Sequence, residues 1–282
     1  MIDGHFHCWK MSRADYGWLD ADLNPTLKPI CRDVTVNDWL AQSTPHGIAG
    51  GVLVQAAAPE AETFFLLAQA DANAAILGVV GWVDLLAPDA PARIEKMARH
   101  PKLKGLRPML QDLADPEWIL KPALAPALQA MCDAGLVFDA LVKPVHLPHI
   151  LTLAGRYPDL AMVIDHAAKP NIAAGEWQPW AAGMAQIAQN TQAMCKLSGL
   201  MTEVGPEPRP GALQPYAAHV LKCFGPARLV WGSDWPVLEL ACSYADWWRY
   251  SQQLLAGLNS EEREAVLGGN AARLYALSDL QR

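Results

Sequence analysis

The chain is poor in charge and has no long apolar run. Only 18% of its 282 residues are Asp, Glu, Lys or Arg, while 52% are hydrophobic. That balance excludes a disordered polypeptide, which needs the reverse. Basic residues are the scarcer sign, 22 against 29 acidic ones, leaving a formal charge of −7. No basic cluster is interleaved with aromatics, so the sequence lacks the footprint of a nucleic-acid partner. Gly, Pro or charge breaks every apolar stretch well short of the ~18 residues a membrane span requires, which excludes a transmembrane helix. No basic segment followed by an apolar run opens the chain, because Asp3 and His5 come at once, and no signal peptide is expected. Cys8, Cys31, Cys132, Cys195, Cys223 and Cys242 show no CxxC spacing. A chain of this length needs no disulfide staples, so the six read as reduced thiols and the expected compartment is the cytoplasm.

What is present is alternation. Eight β-type runs, near 2–7, 51–55, 76–83, 103–107, 136–142, 161–165, 193–197 and 228–232, are separated by helical patterns. The helices are expected near 60–73, 90–99, 122–134, 147–156, 177–189, 214–223, 244–255 and 260–275, the last opening at Ser260 with Glu261 and Glu262 in its first turn. Eight strands joined by helical crossovers predict an α/β fold, a single-domain TIM-like (β/α)8 barrel over residues 1–282, possibly distorted. Residues 12–37, with Pro25 and Pro29, fit neither period and read as a long loop over the barrel mouth. A second irregular insert, 202–211, holds Pro206, Pro208 and Pro210.

Barrel enzymes carry their chemistry at the C-terminal ends of strands. In Asp3-Gly4-His5-Phe6-His7 the two histidines are two residues apart, and on a strand both rings point the same way. A bare HxH pair is as easily structural, so its weight comes from two other strand ends. Ile164-Asp165-His166 delivers a third histidine, and Leu229-Val-Trp-Gly-Ser-Asp234-Trp-Pro a carboxylate. Barrel closure makes the first and eighth strands neighbours, which brings His5, His7 and Asp234 together. Three histidines and one carboxylate suit zinc or another divalent ion with room for water.

Around them lie candidates for substrate contact. Arg107 ends the fourth strand, where a guanidinium suits a carboxylate, carbonyl or vicinal hydroxyls; an ordinary salt bridge is the plainer alternative. Gln55, Trp82 and Asp84 fall at or just past strand ends, and Gln111 and Asp112 in the loop after Arg107. Among eleven tryptophans, Trp9, Trp82 and Trp235 sit beside these motifs, where an indole face can pack on a sugar ring. Ser198 lacks the GxSxG elbow of an activated nucleophile and reads as a pocket-lining group. Cys8 faces away from His7 and reads as packed.

These blocks, with Val54-Gln55, Gly78-Val-Val-Gly-Trp82, Gly105-Leu-Arg107, Lys169-Pro170, Lys196-Leu-Ser-Gly-Leu200 and Asn270-Ala-Ala-Arg-Leu-Tyr275, resemble the amidohydrolase superfamily along the whole chain. Their order and wording are similar to its sugar-lactonase branch, which holds the fuconolactonases and rhamnonolactonases, with pyrone-dicarboxylate lactonases more distant. The resemblance implies a hydrolase that opens an aldonolactone, of the L-fucono, L-rhamnono or galactono type, to the aldonic acid. It implies His5, His7, His166 and Asp234 as catalytic residues and as ligands of one divalent metal, zinc by preference, with Asp234 handling the proton of the attacking water. A second metal is not implied, because the matching strand ends offer Asp139 with Lys143, and Ser198. A metal-free route, in which the histidines polarise the carbonyl directly, stays open. The run Arg107-Pro-Met-Leu-Gln111-Asp lacks the histidine that commonly follows this arginine in the fuconolactonases, which leaves the sugar open. So does the oligomeric state. Two alternatives remain: a zinc-dependent decarboxylase or hydratase of the same superfamily, and a non-catalytic barrel that binds a sugar acid. Carbon dioxide release would mark the former, and indifference to Asp234→Asn the latter.

Overall fold

The computed structural model describes residues 1–205 and 211–277. All eight expected strands form: β1 (Ile2–Phe6), β2 (Gly50–Val54), β3 (Ile76–Gly81), β4 (Leu103–Leu106), β5 (Val137–Ala140), β6 (Met162–Ile164), β7 (Met194–Leu197) and β8 (Leu229–Trp231). Each pairs in parallel with the next in sequence, in one sheet ordered β1 to β8. Their sequences are nearly continuous apolar runs, as strands covered on both faces require; β2, Gly-Gly-Val-Leu-Val, is buried throughout.

The sheet closes on itself through residues just past β8. Phe6 bridges Trp235, and the bonds from His7 N–H to Trp235 C=O and from Asp234 N–H to His5 C=O are each 2.8 Å. The expected (β/α)8 barrel is therefore present. Its distortion lies in that seam and in register shifts along the β1–β2, β2–β3 and β3–β4 pairs.

The outer ring comprises α1 (Val36–Ser43), α2 (Glu60–Ala72), α3 (Ala90–Ala98), α4 (Ala125–Asp133), α5 (Leu147–Arg156), α6 (Trp180–Asn190), α7 (Gln214–Phe224) and α8 (Tyr244–Leu254). The sequence reading missed α1, whose start it assigned to the 12–37 loop. A capping box at Thr35 and Asp38 starts this helix. The expected helix 260–275 is three pieces: α9 (Ser260–Glu264), a π-helical segment over 265–269, and α10 (Asn270–Leu274). Its N-cap is Asn259, boxed with Glu262, rather than Ser260. The proline run of the second insert lies outside the described residues, and Met201–Val204 before it forms a short 3-10 turn.

Inside the barrel, Val52, Val54, Val80, Val137, Val163, Met194 and Val230 form a buried layer closed from below by Ala271 and Tyr275. A second, larger core fills the space between the strands and the helices. Cys8 is buried as expected, and all six cysteines are free thiols.

Candidate active site

One carboxylate oxygen organises the barrel mouth. Asp234 Oδ1 lies 3.2 Å from His7 Nε2, 3.7 Å from His5 Nε2 and 3.8 Å from His166 Nε2. The four residues singled out from sequence thus converge, and all four are buried. Strand alternation does what the HxH spacing predicts. His5 and His7 point to the mouth, while Phe6 between them turns outward and stacks on Trp39 at 3.9 Å.

A buried carboxylate beneath them fixes this seam. Asp3 accepts from Ser233 N–H (2.8 Å), Ser233 Oγ (2.6 Å), Trp39 Nε1 (3.0 Å), Tyr244 O–H (3.1 Å) and His5 N–H (3.2 Å). It therefore ties β1 to the segment carrying Asp234. Asp234 itself has φ 59, an uncommon value for a residue with a Cβ. His166 (φ 51) begins a left-handed turn, with Nδ1 2.9 Å from Ser198 Oγ. The ring has room there only because residue 199 is glycine (φ 62), since a Cβ at that position would lie 2.4 Å from His166 Nδ1.

Hydrogen bonds assign the protons on the imidazoles. Lys196 is fully buried inside the barrel, where its ammonium donates to Asp139 Oδ2 (2.5 Å) and His5 Nδ1 (3.0 Å) and forms an ion pair with Asp165 Oδ1 (3.0 Å). An ammonium has no lone pair, so His5 Nδ1 accepts and the proton of the neutral ring sits on Nε2, 3.2 Å from His7 Nε2. His7 Nδ1 lies 2.7 Å from the Val54 carbonyl and must donate, which leaves a lone pair on Nε2. That lone pair faces the Asp234 carboxylate at 3.2 Å with no hydrogen of its own between them. A cation resolves such a contact, so His7 Nε2, His166 Nε2 and Asp234 Oδ1 fit a divalent metal as they stand. His5, His7 and Asp234 also converge as a potential ligand group, although His5 Nε2 joins it only by losing its proton.

Above this cluster lies a cavity of about 340 Å³, lined among others by His7, Trp18, Arg107, Gln111, His166, Lys169 and Asp234. That volume suits a small polar ligand. A larger groove of about 820 Å³ between α3 and α4 is lined by proline, alanine and scattered surface charges with no convergent chemistry.

Residues 2–277 match a family model described as amidohydrolase. The chain belongs to the amidohydrolase family. It is 44% identical to an L-fucono-1,5-lactonase of Burkholderia ambifaria over 98% of this chain and 95% of that protein. Another L-fucono-1,5-lactonase, from Burkholderia multivorans, is 36% identical over 99% and 96%. A crystal structure of an amidohydrolase from Burkholderia multivorans with bound zinc superposes with a TM-score of 0.91 at 34% identity, covering 98% of this chain and 99% of that one.

In this amidohydrolase several expected contact residues turn away from the cavity. Gln55 is buried, its side-chain amide donating to the Arg107 carbonyl (2.7 Å) while its backbone carbonyl accepts from Arg107 Nη2. Ser198 serves His166 rather than the pocket, and the Trp235 indole donates to Glu239 (2.8 Å). Asp84 is an exposed turn residue that accepts from Leu86 N–H. The Trp82 backbone is held by Thr63, and its indole is absent from the cavity wall. Trp9 is buried, with its indole on the Arg32 carbonyl. Arg107 and Gln111 do line the cavity. The aromatic wall is instead Trp18, from the long loop expected over the mouth, whose indole donates to the Ala56 carbonyl (2.7 Å). Nothing in the sequence singled out Trp18, because a loop's path has no period.

Electrostatics follow from burial and from Lys196. Burial pushes His166 down to about 4, against the pull of Asp234 and Asp165. His5 falls well below its usual value, first by burial and then by Lys196. Burial would raise the Asp234 carboxyl, but the charges of His166 and His7 overcome it and hold it at about 2. Of the two carboxylates on Lys196, burial drives Asp139 up. Burial opposes Asp165 as well, yet Lys196, His166 and Arg107 together hold it down. The site is therefore built to keep Asp234 ionised and the His5 and His166 rings neutral.

Proposed function

We propose that this amidohydrolase opens the ring of a sugar-derived lactone by attack of water on the carbonyl carbon, releasing the aldonic acid. The observation that carries the reading is one buried, ionised carboxylate oxygen within 3.2–3.8 Å of three imidazoles, at the floor of a cavity sized for a monosaccharide. Ester hydrolysis needs a base for the water and donors for the carbonyl oxygen. Asp234 is the base, since its low pKa keeps it charged. His5 Nε2–H is the available imidazole donor, and Arg107 and Gln111 orient the polyol. The names of the two lactonase relatives make L-fucono-1,5-lactone the first candidate, with rhamnono and galactono lactones next.

The expected cofactor is zinc, by likeness to the zinc-bound amidohydrolase, held by His7, His166 and Asp234, with His5 as the fourth ligand when it yields its proton. A divalent ion there supplies polarisation of the carbonyl and acidifies water to a pKa of about 7. Free thiols throughout fit a reducing compartment, and the reading is of a cytoplasmic enzyme of sugar-acid metabolism. A pH-indicator screen over sugar lactones, run with and without chelator, tests the proposal. Acid release from L-fucono-1,5-lactone is expected; release from none of the panel overturns the lactonase reading. Chelator-resistant turnover overturns the metal alone.

A further inference from the structure

Two cations line the cavity, and they differ in what they have left to give. Arg107 is largely committed to the protein: Nη2 donates to the Gln55 backbone carbonyl and Nη1 to Asp165 Oδ2 at 3.3 Å, and its Nε is buried without a hydrogen-bond partner. Lys169 lines the same cavity beside His166 and Asp234. Its ammonium has no hydrogen bond or ion pair with any described residue. Each other lysine or arginine that lines or underlies the site is anchored; this one is open to the cavity.

The backbone that presents it is unusual. His166, Ala167, Ala168 and Lys169 have φ of 51°, 48°, 59° and 47°, four consecutive non-glycine residues in the left-handed region. Each costs roughly 1–2 kcal/mol relative to a right-handed turn, so the conformation persists only because its surroundings dictate it. Those surroundings are identifiable. The Trp180 indole donates to the Ala167 carbonyl (2.7 Å), Lys169 N–H closes on the His166 carbonyl (2.9 Å), and Gly199 leaves room for the His166 ring. One left-handed turn separates residues 166 and 169, which brings both side chains to the same cavity.

We propose that Lys169 is a catalytic residue of this site, the cation that meets the negative charge formed on the lactone carbonyl oxygen during hydrolysis. The inference rests on the lactonase reading. In the addition step the water oxygen bonds to the carbonyl carbon, its proton passes to Asp234, and the C=O π pair moves onto the carbonyl oxygen beside the Lys169 ammonium. In the collapse that pair re-forms the C=O bond, the ring C–O bond breaks, and the departing ring oxygen takes the proton from Asp234. The product is a hydroxy acid, which loses its carboxyl proton to solvent and whose carboxylate then faces the ammonium.

The test compares Lys169→Met and Lys169→Arg with the parent chain, on a lactone the parent hydrolyses and in binding of L-fuconate followed by calorimetry. Lys169→Met is expected to lose about 10²–10³-fold in kcat with KM little changed, as when one preorganised oxyanion donor is removed. It should also bind L-fuconate roughly tenfold more weakly, which is about 1.4 kcal/mol. Lys169→Arg, which keeps the charge, should recover a large part of both, and metal content and melting temperature should match the parent in both variants. Unchanged kcat in Lys169→Met overturns the proposal. So does a loss accompanied by loss of metal, or one that arginine fails to rescue, since either marks a residue that only positions His166. L-Fuconate that binds all three chains equally, or none, overturns it as well, even for a chain that turns over no lactone in the panel. The lactonase reading fails separately, on the parent chain's inactivity.

Discussion

Gly199→Ala links the strained turn to the chemistry through a single added methyl group. The residue has φ 62, so alanine there costs about 1–2 kcal/mol in backbone strain alone. Its Cβ would also lie 2.4 Å from His166 Nδ1, 2.6 Å from Cγ and 2.9 Å from Cβ. The last of these is no flexible tip, so the whole imidazole must move. Moving it breaks the 2.9 Å bond to Ser198 Oγ, a further loss of about 1 kcal/mol. The total, about 2–3 kcal/mol, corresponds to a melting temperature lower by roughly 3–5 °C in a chain of this length. A displacement near 1 Å also costs about 10²-fold in turnover. Scanning calorimetry and steady-state hydrolysis read the two effects. Ser198→Ala is the control, because it removes the hydrogen bond without the clash and should cost about 1 kcal/mol. A Gly199→Ala chain that melts with the parent and turns over at its rate would refute the argument that this glycine makes room for the ring.

Asp234→Asn should keep the fold but lose about 10²–10⁴-fold in kcat, because it would remove the proposed base while leaving the volume; activity within a few-fold of the parent would contradict that role. Lys196→Met strips the counter-charge from Asp139 and Asp165, both fully buried, and should destabilise by about 3–5 kcal/mol in denaturant unfolding; an equally stable variant would show that the carboxylates need no ammonium. The metal-stripped protein also has a pH signature. His166 titrates near 4 when folded and at 6.5 when unfolded, so below 6.5 the unfolded chain takes the proton first. Its contribution is complete above pH 6.5 and is lost as pH falls to about 4. The stability gap between the parent and His166→Gln should therefore shrink by about 1.4 kcal/mol per pH unit across that window, and a gap that does not move would refute the burial argument.

The sequence announced its strands because they are covered on both faces: runs such as Val52-Leu53-Val54 and Val79-Val80 can be little else once bounded by glycines. The four residues around the Asp234 oxygen were legible for the same reason, polar groups at the ends of apolar runs. What failed was everything governed by direction rather than position. Gln55, Ser198 and Trp235 sit at strand ends as expected, yet each bonds to the protein instead of the cavity. Lys169 sits three residues past His166 on a left-handed backbone, which no pattern of hydrophobicity encodes. Lys196 was hidden differently. A lysine in the strand Met-Cys-Lys-Leu looks like a break in an apolar run until two carboxylates and an imidazole surround it.

The bottom of the barrel bears on the chemistry at its mouth. Tyr275 O–H donates to Asp139 Oδ2 (2.7 Å), the same oxygen that holds Lys196, which in turn holds His5. A histidine of β1 is thus oriented by a tyrosine at the end of α10, through two buried intermediaries. Geometry at the mouth therefore depends on docking at the base: a variant in which Tyr275 is displaced would hold most of the sheet and little of the chemistry.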